Sequence, residues 1–95
     1  MLYGQVYGAI RNLLREIRRE AGLTQVELAC RLRRGQSYVS KIERGEQYID
    51  LAEFIDWCHA CGVMPSEAMR ALDGVVPQQE TAPAPTETGE ESGET

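Results

Sequence analysis

Apolar residues in the first 72 positions recur at spacings of three and four between short polar breaks, which predicts an all-helical chain. Val6, Ile10, Leu13, Leu14, Ile17 and Ala21 cover about 80° of a helical wheel, so the first helix has one core-facing stripe, with Tyr3 and Tyr7 packing on its flanks and Gly22 ending it. Thr24 with Glu27 three residues later has the form of a capping box and starts a second helix, which carries Leu28 and Ala29 inward and stops near Leu32. Gly35 can cap a third helix over Gln36 to Arg44, with Gly45 as its left-handed terminator. Asp50, with Glu53 three residues on, opens a fourth that places Leu51, Phe54, Ile55, Cys58 and Cys61 on one face and Trp57 on its flank, partly in water. Pro65 suits the first turn of a fifth helix ending near Leu72, capped by Ser66 or by the residue before the proline.

The third helix separates by chemistry. On a wheel of about 100° per residue, Gln36, Ser37, Ser40, Lys41 and Arg44 fall within an arc of about 140°, while Tyr38, Val39, Ile42 and Glu43 take the other side. The polar arc holds donors and acceptors but no carboxylate. Glutamine can pair bidentately with adenine, lysine can donate to guanine, serine can serve several bases, and arginine suits guanine or phosphate. Any solvated helix face can look like this in isolation. Here it follows a capped helix and a short turn, which is how small helical domains present side chains to the major groove of DNA.

These segments, L-T-Q-V-E-L-A-C-R-L, Q-S-Y-V-S-K-I-E-R-G-E and D-L-A-E-F-I-D-W-C-H-A-C-G-V, resemble the phage-repressor (Cro/repressor, or Xre) helix-turn-helix family, and the similarity runs from about Leu2 to Leu72. The resemblance implies a compact five-helix domain whose third helix enters the major groove. It also implies site roles: Gln36, Ser37, Ser40 and Lys41 as base-reading residues, and Arg44 with the loop after it as backbone-contacting. Gln25 matches the glutamine that opens helix 2, contacts phosphate and steadies the first residue of the recognition helix. Arg18 matches a helix 1 arginine that pairs with the glutamate near the end of helix 3, here Glu43, a structural pair. One stretch departs from the pattern, because Arg33, Arg34 and Gly35 stand where the family turn has a glycine, a small or apolar residue and a cap. Forcing Arg33 left-handed costs on the order of 1 kcal/mol, so a turn of different detail is expected. Both arginines adjoin the start of the recognition helix, where a phosphate would lie.

Charge sharpens the division of the chain. The net charge of -5 arises because residues 1–72 hold all ten basic residues against nine acids, +1, whereas residues 73–95 hold six acids and no base. Residues 1–72 are therefore read as the helix-turn-helix domain. Residues 73–95, with three prolines and no aromatic residue, are read as a disordered acidic tail. A domain charge of +1 promises modest non-specific affinity, although Arg31, Arg33, Arg34, Lys41 and Arg44 cluster.

Metal and catalytic chemistry find little to stand on. Cys58, His59 and Cys61 resemble half a zinc site, but Cys30 lies on another helix and no second histidine exists, so neither metal nor other cofactor is expected. With one histidine, no nucleophile-base pair and no phosphate-binding glycine loop, the chain does not read as an enzyme. Three cysteines, no leader-like segment and no membrane-length apolar run fit a cytoplasmic, nucleoid-associated protein. The expected partner is double-stranded DNA with a palindromic operator, bound by a homodimer through helices 4 and 5, Trp57 included. The alternative is a protein partner held by an antitoxin-like or anti-activator module on the same fold, a reading the acidic tail favours slightly.

Overall fold

The computed structural model describes residues 4–73, which form five helices and no strand: α1 Gln5–Glu20, α2 Gln25–Leu32, α3 Gln36–Glu43, α4 Leu51–Ala60 and α5 Pro65–Arg70. The tail expected beyond Asp73 lies outside the described residues. Both capping boxes form: the Thr24 hydroxyl accepts from the Glu27 amide at 3.0 Å and the Glu27 carboxylate from the Thr24 amide at 2.9 Å, and Asp50 and Glu53 exchange the same bonds at 2.7 and 2.8 Å. Each satisfies two amides that a helix start leaves without partners. Two helices end earlier than expected. Arg44 is the cap of α3 rather than its last residue, and α5 stops at Arg70, with Met64 as a cap that makes no side-chain bond.

Helices α1 to α4 close alike, on a left-handed residue whose successor's amide folds back to a carbonyl five positions earlier. These bonds run Leu23 to Arg18, Arg34 to Ala29, Glu46 to Lys41 and Val63 to Cys58, at 2.8 to 3.2 Å. Glycine fills three of the four left-handed positions, and Arg33, at φ 59°, fills the other. The α2–α3 turn thus keeps the left-handed geometry, and the expected departure falls on the residue instead of on the backbone. The Cβ of Arg33 at positive φ carries a strain that a glycine would not.

The core draws on all five helices: Leu14 and Ile17, Leu28 and Ala29, Val39 and Ile42, Phe54, Trp57 and Cys58, with Cys61 and Ala68 at its edge. Each large apolar side chain buried here removes about 1.5–3 kcal/mol of unfavourable hydration. Trp57 is wholly buried, against the expectation of a ring partly in water, and its indole N–H donates to the Leu14 carbonyl at 3.1 Å. That bond satisfies the one polar atom that would penalise burial of the ring. Leu51, read as a core residue, is 66% exposed at the first position of α4, and Val6 is 48% exposed near the start of α1. Among the described residues no helix is long and apolar enough to cross a membrane.

Candidate nucleic-acid interface

Helix α3 has one face committed to the fold and one free. Val39, Ile42 and Glu43 are buried beneath it. Gln36, Ser37 and Lys41 are exposed and Ser40 is half-buried, its hydroxyl donating to the Ser37 carbonyl at 3.3 Å. The side chains of Arg33, Gln36, Ser37 and Lys41 enter no hydrogen bond or ion pair among the described residues. Their donors and acceptors are available to a ligand. Gly35 gives α3 no side-chain cap; the Tyr38 amide of its first turn donates to the Gly35 carbonyl at 3.1 Å, and the Gln36 and Ser37 amides have no side-chain acceptor among the described residues.

The pose of this helix is set by Glu43, whose carboxylate is 2% exposed. Arg18 donates to it twice, Nε to Oε2 at 2.7 Å and Nη2 to Oε1 at 3.0 Å, and Gln25 donates Nε2 to Oε1 at 3.0 Å. Arg15 lies further out, its Nε 3.9 Å from Oε1, while its Nη2 donates to the Glu43 carbonyl at 3.1 Å. One buried carboxylate therefore ties α1 and α2 to the C-terminal turn of α3. The arginine cations also suit that end of a helix, where carbonyls carry partial negative charge. Hydrogen bonding to Glu43 raises the Arg18 pKa above its ordinary value, so the guanidinium stays a cation at any physiological pH. Gln25 keeps one amide hydrogen for an outside acceptor, because Nε2 carries two and Glu43 takes one. In this structure its amide faces Glu43.

The arginines around α3 differ in how free they are. Arg33 has no partner among the described residues. Arg34 lies with its guanidinium carbon 4.2 Å from the centroid of the Tyr38 ring, and its Nη2 donates to Glu53 Oε2 at 3.4 Å. The α4 cap thus also holds an arginine at the start of α3. Burial, with Glu53 nearby, pushes the Tyr38 phenol up to about 12, so it remains a neutral donor. Arg44 is engaged bidentately by Glu46, Nε to Oε2 and Nη2 to Oε1, both at 3.0 Å, with each side chain more than half exposed. Arg31 donates Nη1 to the Ala60 carbonyl at 2.8 Å, which joins α2 to the end of α4.

The Arg34–Tyr38–Glu53 arrangement, the Arg44–Glu46 clasp and the seat of Arg11 are not visible in the sequence pattern. Arg11 lies against Gly45, where an added Cβ would stand 2.9 Å from Nε and push the arginine aside, at a φ of 79° that itself favours glycine. Near the same loop, the Ile49 amide donates to the Tyr7 hydroxyl at 2.7 Å, and the Tyr7 and Tyr48 rings meet edge to face with centroids 5.0 Å apart. The loop that carries Arg44 and Glu46 is therefore anchored on α1. Cys58 and Cys61 are buried, with both thiols pushed up by desolvation, Cys61 to about 11. Among the described residues, no three His, Cys, Asp or Glu side chains could hold a metal ion.

A helix-turn-helix domain model matches residues 9–72. Among solved structures, an XRE-family like protein from Pseudomonas syringae pv. tomato is 44% identical, with a TM-score of 0.70 over 76% of this chain and 88% of that one. The clp gene regulator ClgR from Corynebacterium glutamicum is 27% identical, with a TM-score of 0.69 over 81% of this chain and all of the other. The restriction-modification controller protein C.AhdI from Aeromonas hydrophila is 31% identical, with a TM-score of 0.60 over 65% of this chain and 90% of that chain. No curated protein matches the sequence. An open, acid-free helix face set on a buried carboxylate hub, in a fold shared with these regulators, leads to one conclusion: the chain belongs to the Xre-type helix-turn-helix family of non-enzymatic, DNA-binding transcriptional regulators.

Proposed function

We infer that this regulator binds a specific double-stranded DNA sequence as a repressor, with α3 in the major groove. Gln36, Ser37, Ser40 and Lys41 read base edges, and Gln25, Arg33, Arg34 and Arg44 meet phosphates. The observation that carries this reading is the exposed face of α3, whose Gln36, Ser37 and Lys41 side chains have no hydrogen-bond or ion-pair partner among the described residues. A face held open in this way has its hydrogen-bonding capacity left for base edges. The protein acts in the cytoplasm, at the nucleoid.

One recognition helix spans only a few base pairs, so a useful site calls for two copies on a palindromic operator. The surface that suits the second copy is an apolar groove lined by Ile10, Ile49, Leu51, Phe54, Met69 and Leu72, in which Leu51 and Met69 stand well exposed. Trp57 has no place in it, being buried. Selection of bound duplexes from a random pool tests the whole reading. A recovered motif with two-fold symmetry and half-sites about 10 base pairs apart is expected. No enrichment of any duplex, with binding insensitive to salt, would turn the case toward a protein partner instead.

A further inference from the structure

Glu46 is an odd residue to find where it is. It follows the left-handed Gly45, and its amide donates to the Lys41 carbonyl at 2.8 Å, which fixes its backbone directly under the C-terminus of α3. A carboxylate there faces the partial negative charge of the last carbonyls, the end of a helix that favours cations. Its side chain is not idle: both oxygens take the Arg44 guanidinium at 3.0 Å. Arg44, and after it Lys41, hold the carboxyl of Glu46 below its ordinary range, so it remains charged well into mildly acidic solution. The clasp is exposed and local, between residues two apart, a kind of ion pair that adds little or nothing to stability. Arg44, which it holds, and Lys41, which it meets only through the longer-range field, both belong to the polar arc of the reading helix.

Resting on the DNA-binding reading, we propose that Glu46 is an internal phosphate mimic that sets the sequence-independent part of affinity. In the free protein its carboxylate fills the bidentate fork of Arg44 and lowers the local field at Lys41; on DNA a backbone phosphate displaces it. The fork geometry allows the exchange, since guanidinium accepts carboxylate and phosphate in the same two-bond arrangement. Each non-specific encounter must then break the clasp before Arg44 counts as a phosphate contact. Affinity for random DNA is damped, while the base contacts of Gln36 and Ser37 do not involve Glu46. The domain's small net charge thus has a local counterpart at the interface. Arg34 is not equivalent, because its partner Glu53 also caps α4 and its guanidinium rests on Tyr38.

The test compares Glu46→Gln with the full chain and with Glu67→Gln, a charge-matched change on α5. Binding is measured to a random-sequence duplex and to heparin, a polyanion without bases, across a salt series. Glu46→Gln should bind both more tightly than Glu67→Gln does, with the salt slope on duplex steeper by about one. Its advantage should therefore shrink roughly fourfold between 50 and 200 mM salt. The melting temperature should hold or rise. Equal or weaker binding than Glu67→Gln, or a drop in melting temperature that marks the clasp as structural, would overturn the proposal. A gain on heparin with no duplex binding by any variant would leave the exchange standing and remove the DNA reading instead.

Discussion

Replacing Arg18 by alanine should cost this domain a large share of its stability. The substitution removes both bonds to Glu43, at 2.7 and 3.0 Å, and the bond from Nη1 to the Leu23 carbonyl at 2.9 Å. It leaves a carboxylate that is 2% exposed with Gln25 at 3.0 Å and a distant Arg15. Removing one partner of a buried ion pair typically costs 3–5 kcal/mol. The Arg18 side chain is 11% exposed and Gln25 stays in place, so some solvation and one bond survive. The low end of that range, about 3 kcal/mol, is the expected loss. For a domain of this size each kcal/mol moves the midpoint by about 4–8 °C, which places the drop at about 12–24 °C. Thermal and urea unfolding followed by circular dichroism would measure it. The double variant Arg18→Met with Glu43→Met removes both charges and should recover part of the loss, since matched apolar replacement of a buried pair is often close to neutral. An unchanged midpoint for Arg18→Ala, or a double variant less stable than the single one, would refute the hub at Glu43.

Other substitutions separate shape from recognition. Arg33→Gly relieves the only non-glycine positive φ among the described residues and should stabilise the domain by about 0.5–1 kcal/mol while weakening binding to every duplex; a lower melting temperature would contradict the strain argument. Gln36→Ala and Lys41→Ala should each cost roughly 1–3 kcal/mol on the selected site and relax base preference, whereas Arg34→Ala should weaken all sequences alike, and identical profiles for the three in competition titrations would erase that division of roles. Cys30 is exposed and should react with iodoacetamide in the native state, with Cys58 and Cys61 protected until unfolding. Because burial raises the Cys61 pKa from 9.0 to about 11, its contribution to stability is fully present below pH 9 and is lost as pH rises through 11, so urea midpoints should decline over that window and a flat profile would count against burial of the thiol.

Much of this fold is legible in the sequence because the signals are local. Thr24 with Glu27, Asp50 with Glu53, and the glycines at 22, 45 and 62 mark where helices start and stop through bonds spanning three to five residues. The inward position of Glu43 likewise follows from the wheel alone. The wheel fails where a neighbouring helix decides. Trp57 sits on the flank of the α4 stripe, yet it is fully buried and Leu14 of α1 supplies the acceptor for its indole. Leu51 keeps the right angle on the wheel, but at the first position of α4 it stands largely exposed. The bond from Arg34, which also rests on the Tyr38 ring, to Glu53 spans nineteen residues, a tertiary placement that no pattern within one helix encodes. The Arg44–Glu46 clasp is local, but it forms only because the chain folds back at Gly45, past the last residue a wheel describes.

The claim at the centre is that the free face of α3 meets base edges. Titration of the isotope-labelled protein with its selected duplex, read by amide and side-chain NMR, addresses that face directly. The account predicts the largest shifts at Gln36, Ser37, Ser40 and Lys41, new protection of the Gln36 side-chain amide, and little change at Ala68 in α5. Shifts confined to the groove of Leu51 and Met69, with Gln36 and Lys41 unmoved by any duplex, would contradict it.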